Sequence, residues 1–169
     1  MPIVASELKY YESTFVGSGG VGSLGGAITA IEIPDNTLHN IFDVVESAEA
    51  IAGAVNYRCI YVKNTNGASL ALSNPLIYIQ TISSYVKNTL GLGLGTSGIN
   101  GVETSVANES TAPIGVVFNT VAGTPNGLAF PADLPAGEHM AIWISRTVQA
   151  DSAAQSNITA SIALQGDTT

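Results

Sequence analysis

Titratable chemistry is scarce in this chain. Its 169 residues include five Lys and Arg, thirteen Asp and Glu, two histidines and one cysteine. Catalysis draws on converging acids, bases and nucleophiles. Here the charged residues, 11% of the total, stand singly between short apolar runs. That pattern argues against an enzyme and names no catalytic residue.

The shortage of basic side chains excludes more. With a net charge of −8, the chain cannot supply the clustered Lys and Arg that nucleic-acid binding needs for counterion release. An anionic membrane surface is disfavoured for the same reason. Arg58, Lys63, Lys87 and Arg146 are too dispersed for a polyanion patch, and suit pairing with acidic groups on neighbours. Cys59 stands alone, so no internal disulfide can form. It lies among Ile60, Tyr61 and Val62 and reads as a small buried hydrophobe. No apolar run approaches the roughly 20 residues of a membrane span. The opening MPIVASELKYYEST lacks the basic and apolar regions of a signal peptide.

Motifs are few, and each has an ordinary explanation. Gly17-Ser18-Gly19-Gly20-Val21-Gly22 spells G-x-G-x-x-G, a pattern that binds dinucleotides only between a strand and a helix. Gly25 and Gly26 follow and block such a helix, so the stretch reads as a flexible arm and no cofactor is expected. His39, Asp43 and Glu46 could in principle share a metal ion. The two carboxylates are better explained as helix N-terminal residues, so no metal is expected. Trp143 sits in an apolar strand and reads as core. Asn108-Glu109-Ser110 and Asn157-Ile158-Thr159 match the glycosylation pattern, which matters only for a secreted chain.

What the chain does have is a sandwich-forming composition. It is 46% hydrophobic, with 18 glycines and 7 prolines punctuating runs rich in Ile, Val, Leu and Thr. Strands are expected at Ile28–Ile33, Tyr57–Asn64, Leu76–Ile82, Leu90–Leu94, Ile114–Phe118, His139–Val148 and Ile158–Leu164. In the last, Ile158, Ala160, Ile162 and Leu164 alternate with polar residues, the mark of a half-buried antiparallel strand. One short helix is expected after Asp43 and Glu46, which have capping-box spacing. Its apolar stripe of Val44, Val45, Ala48, Ile51 and Ala52 should plug one end of the sandwich, and Gly53 should end it. The fold expected is all-β, an antiparallel β-sandwich. Asn64-Thr65-Asn66-Gly67 and Leu134-Pro135-Ala136-Gly137-Glu138, each beside a strand, resemble stretches of immunoglobulin-like sandwich modules, which implies an immunoglobulin-like antiparallel β-sandwich, with a jelly roll as the rival topology. Residues 1–27 read as a glycine-rich N-terminal arm and 28–169 as the sandwich domain. Tyr10, Tyr11, Phe15 and Val16 are the expected interface anchors, because aromatic residues dominate contact energetics. They would serve equally as a first strand of the domain's own sandwich. If the segment is an arm, removing residues 1–26 should leave a folded domain.

Two stretches carry a resemblance. Tyr57-Arg58-Cys59-Ile60-Tyr61-Val62-Lys63-Asn64-Thr65-Asn66, preceded by Ser47-Ala48-Glu49-Ala50, resembles a segment of structural proteins from tailed-bacteriophage particles. So does Leu134-Pro135-Ala136-Gly137-Glu138-His139-Met140-Ala141-Ile142-Trp143-Ile144-Ser145-Arg146-Thr147-Val148, with the closing Gln165-Gly166-Asp167-Thr168. The likeness runs from about Ile41 to the C-terminus and leaves the N-terminal segment outside. It implies a non-enzymatic virion component, made in the host cytoplasm. The foremost expectation is a capsid decoration or minor head protein, bound to the major capsid protein or other virion proteins and homo-oligomeric within the particle. The alternatives are a tail, baseplate or collar component, and a cell-surface or carbohydrate-binding module. The last is weakened by an aromatic content of only 7%, little from which to build a sugar platform.

Overall fold

The longest uninterrupted apolar runs pair with each other at the centre of the molecule. A computed structural model describes residues 2–83, 85–155 and 158–168. Among these residues eight strands form two antiparallel sheets: β1 (Leu8–Ser13), β2 (Ile28–Glu32), β3 (Ala54–Asn64), β4 (Leu72–Ile82), β5 (Asn88–Leu94), β6 (Leu128–Ala129), β7 (His139–Val148) and β8 (Ala160–Thr168). The five-stranded sheet has the order β2-β1-β3-β7-β5, and the three-stranded sheet β6-β4-β8. The expected all-β sandwich is thus present.

The β3–β7 register runs unbroken from Ala54 opposite Val148 to Lys63 opposite His139. Because side chains alternate across a sheet, Ile60, Val62, Ile142 and Ile144 point inward. There they meet Leu72, Ile77 and Ile79 of β4, together with Phe130 and Leu134. Cys59, Tyr61 and Trp143 point to the other face, where they are also fully buried. A sheet covered on both faces explains why these strands read as continuous rather than alternating apolar runs.

Several expectations are corrected. Residues 1–27 contain β1, which inserts between β2 and β3 and pairs with β3 from Leu8–Asn64 to Glu12–Ile60. Tyr10 and Tyr11 alternate across that strand and pack against opposite core clusters. The segment is therefore woven into the fold along its strand. The helix α1 spans only Ser47–Ala52 and buries no residue. Ile51 is 69% exposed, so the helix does not plug the sandwich. Its first turn closes on Glu49, whose Oε2 accepts the Glu46 N–H at 2.9 Å. Ile114–Phe118 forms no strand. Its alternation is real, but Val116 and Phe118 pack on the second core cluster while Ile114 and Val117 point to solvent. Only the neighbouring Asn119 makes a bridge, to Leu92.

Strand boundaries also move, with β3 and β5 beginning three and two residues earlier than expected, at Ala54 and Asn88. β4 begins before Pro75, which sits at a bulge between Ser73 and Leu76, one of the few places a sheet tolerates proline. β8 begins two residues after Ile158 and runs on to Thr168. Its Ile162 and Leu164 pack inward as expected.

Candidate functional site

The outer face of the five-stranded sheet is roofed by two chain segments lying side by side. Gly25 and Gly26 bracket one edge, where the Gly26 N–H donates to Glu103 O at 2.9 Å. The Val106 N–H donates to Leu24 O at 3.0 Å and the Ser18 N–H to Ala107 O at 3.0 Å. Leu24 is fully buried above Cys59, Tyr61 and Trp143. Each apolar side chain so buried contributes roughly 1.5–3 kcal/mol. The glycine-rich segment is thus a roof fixed to its own domain. A Cβ at Gly25, whose φ is +97°, would lie 2.5 Å from Thr104 O and 2.6 Å from Ser105 Cα. The glycine is there for close approach as well as for its backbone angle.

Glu103 is the polar centre beneath this roof, and only 3% exposed. Its Oε1 accepts from Thr96 Oγ1 at 3.1 Å and from Trp143 Nε1 at 3.3 Å, and its Oε2 from the Ser97 N–H at 3.0 Å. The Glu103 N–H donates to the Tyr61 hydroxyl at 2.9 Å, and that hydroxyl donates to Gly26 O. Burial pushes the carboxyl pKa up, but the donors from Ser97, Thr96 and Trp143 outweigh it and hold it below the ordinary value. Burial also pushes the Tyr61 hydroxyl to about 12 and the Cys59 thiol well above its ordinary value. At neutral pH neither is poised to lose a proton. These groups cross-link the roof to the sheet.

A second cluster gathers at the opposite surface of the same sheet. Arg58 and Arg146, 88 positions apart in sequence, come together because β3 pairs with β7 through Asn56–Arg146 and Arg58–Ile144. Arg58 Nη2 lies 2.8 Å from Glu109 Oε2 and 3.6 Å from Asp43 Oδ1. Arg146 Nη2 lies 3.5 Å from Asp43 Oδ1 and donates to Asn56 Oδ1 at 3.2 Å, while its Nη1 donates to Asp43 O at 2.6 Å. The Phe42 ring lies 5.3 Å and 4.8 Å from the two guanidinium carbons, within cation–π range. Both arginines pair within their own chain. They tie residues 42–43 and Glu109 to the sheet.

Beside this cluster lies an open cleft of about 540 Å³, lined by Glu12, Gly19–Ser23, His39–Ile41, Asp43 and Arg58. It brings the glycine motif next to an arginine, but Glu109 and Asp43 already occupy that charge. Among the described residues the element after the glycines is the strand β2, not a helix, so the dinucleotide geometry is not formed. His39, Asp43 and Glu46 do not assemble a ligand set, and no metal-holding group of three or more His, Cys, Asp or Glu exists among the described residues. No helix among them is long and apolar enough to cross a membrane.

Phe15 and Val16 remain exposed, whereas Tyr10 and Tyr11 are engaged in the core clusters. His139 packs edge-on against Tyr61, with ring centroids 5.1 Å apart. Asn108 folds its side chain back onto the Ser110 N–H at 3.0 Å and the Thr111 hydroxyl at 2.9 Å. Asn157 lies outside the described residues. Sequence reasoning missed Glu103, which sits in an irregular stretch. One signal pointed to it: a buried Trp143 indole N–H requires an acceptor.

No protein-family model, curated protein or solved structure matches the chain.

Proposed function

We propose that this protein is a non-enzymatic structural component of a tailed-bacteriophage particle, docked on the assembled capsid shell as a decoration or minor head protein. The observation that carries the reading is where the apolar surface lies. The roof over the five-stranded sheet is pinned rigidly from below, yet it presents Phe15, Val16, Ile114 and Val117 outward, with Ile114 91% and Val117 82% exposed. Large apolar side chains held out on an ordered scaffold suit a protein–protein contact. The polar side chains that could react are turned inward instead. Glu103, Tyr61, Arg58 and Arg146 each hold one piece of the chain to another.

The bacteriophage resemblance of Tyr57–Asn66 and Leu134–Val148 supplies the kind of partner. These segments are β3 and β7 with their flanks, so the likeness falls on the frame of the fold and the contact on its roof. A net charge of −8 adds repulsion between particles and so favours dispersion.

The test is binding of the purified protein to shells assembled without it, measured by co-sedimentation. Ile114→Asp with Val117→Asp should abolish binding and leave the thermal transition within about 2 °C of wild type, since exposed substitutions shift stability by under about 0.5 kcal/mol. Undiminished binding by that variant would overturn the assignment of the contact, and failure of the wild type to bind would overturn the reading itself.

A further inference from the structure

A sheet edge is a row of unpaired amides and carbonyls that invites another strand, and proteins blunt such edges with short strands, bulges, proline, charge or covering loops. Among the described residues the two sheets have four edges: β2, β5, β6 and β8. Three are blunted. β2 is five residues long, pairs irregularly with β1 between Tyr11 and Ser13, and runs out through Glu32 to Pro34. β5 is backed by residues 116–119, with reciprocal bonds between Leu92 and Asn119 at 2.9 and 2.8 Å. β6 has two residues and is followed within two positions by Pro131.

The edge of β8 is different. It is nine residues long, Ala160–Thr168, without proline or lysine. The irregularities in its pairing with β4 fall as extra residues on the β4 side: Ser73 to Leu76 spans three steps where Asp167 to Gln165 spans two, and Ile79 to Thr81 spans two where Ile162 to Ser161 spans one. β8 itself stays regular. Among the described residues one hydrogen bond reaches β8 from outside the sheet, at its last position, where the Ile3 N–H donates to Thr168 Oγ1 at 3.2 Å. Ile162 and Leu164 are only half-buried, as expected of core side chains with nothing beyond them.

We infer that the free edge of β8 is a self-pairing surface: two copies join β8 to β8, antiparallel about a two-fold axis at Leu164. This register places Ala160 opposite Thr168 of the second copy, Ser161 opposite Asp167, Ile162 opposite Gly166 and Ala163 opposite Gln165. It uses the whole strand whichever alternate residues carry the outward amides. The inner face continues the core with the Ile162 and Leu164 side chains of both copies.

Charge selects a second copy as the occupant. The chain carries −8, yet no charged residue lies between Asp151 and Asp167. This is the stretch along which two acidic chains can approach. Each Asp167 meets a Ser161 hydroxyl, and the two Asp167 carboxylates lie six residues apart along the strand, roughly 20 Å and beyond the screening length at physiological salt. With no ion pair in the join, association tightens as salt screens the repulsion between the bodies. The surface does not depend on the phage assignment.

Sedimentation equilibrium of the full chain tests this, with amide exchange as the second readout. The wild type should show twice the monomer mass in the micromolar range, more so at high salt, with concentration-dependent protection of residues 160–168. Ala163 and Gln165 lie on the outer face, opposite Tyr78 and Leu76 of β4. Ala163→Lys with Gln165→Lys sets like charges directly across the join and should give a monomer. Mixing it with Ala163→Glu with Gln165→Glu should restore a dimer, which a misfolded variant could not do. A wild type monomeric throughout would overturn the inference, as would a dimer indifferent to the lysines. Protection of β8 seen only when another virion protein is added would overturn it too, in favour of a foreign strand.

Discussion

Gly25 shows how little freedom the roof retains. Its φ of +97° and the 2.5 Å approach of Thr104 O to a would-be Cβ make two separate demands on one position. Gly20 makes only the first, with a φ of +80° and open space around it. Gly20→Ala should therefore cost about 1 kcal/mol of backbone strain. Gly25→Ala should cost roughly 3 kcal/mol or more, because the backbone of Thr104 and Ser105 must also move. Denaturant midpoints of the two variants check the difference, and equal losses would mean that the roof yields freely. Flexibility is the default inference from a run of glycines, and here it misleads. Glycine is also the residue that lets two backbones touch, and nothing local distinguishes the two uses.

At the level of elements, β1 decides whether the N-terminal segment is an appendage. It pairs with β3 over five residues and, among the described residues, is the only strand bonded to β2. Removing residues 1–13 would strip one edge of β3 and leave β2 without a partner. The truncated chain should show no cooperative thermal transition, and a sharp transition near that of the full chain would contradict this. This predicted outcome is the opposite of that expected for a dispensable arm. Sequence made the frame legible wherever both sheet faces are covered or one alternates cleanly: β3, β5 and β7 read directly from their apolar runs. It failed where tertiary context assigns the use of a pattern. Tyr10 and Tyr11 read equally as interface anchors or as a first strand, and only the pairing with β3 decides between them. Ile114–Phe118 alternates like a strand but lies as a cover with no ladder partner. The pairing of Arg58 with Arg146 depends on the β3–β7 register, which no single segment encodes.

For the molecule as a whole, the buried polar groups fix how stability responds to acid. Burial, aided by Lys63, holds His139 below its ordinary value of 6.5, so the fold prefers the neutral ring. The unfolded chain then takes up a proton first, and this contribution is complete above pH 6.5 and declines as pH falls beneath it. Burial raises Glu103, but its hydrogen-bond donors prevail and leave it below 4.5. Its contribution is present above that pH and lost as pH falls through the lower folded value. Both act in one direction, so the denaturant midpoint should fall in two stages on acidification. His139→Gln should remove the first stage only, and an unchanged first stage would place its origin elsewhere.

The reading of the molecule as a shell-bound structural protein meets its most direct test in the particle itself. Quantitative mass spectrometry of purified phage should find this protein at a copy number close to that of the major capsid subunit. Its complete absence from the particle would contradict the account.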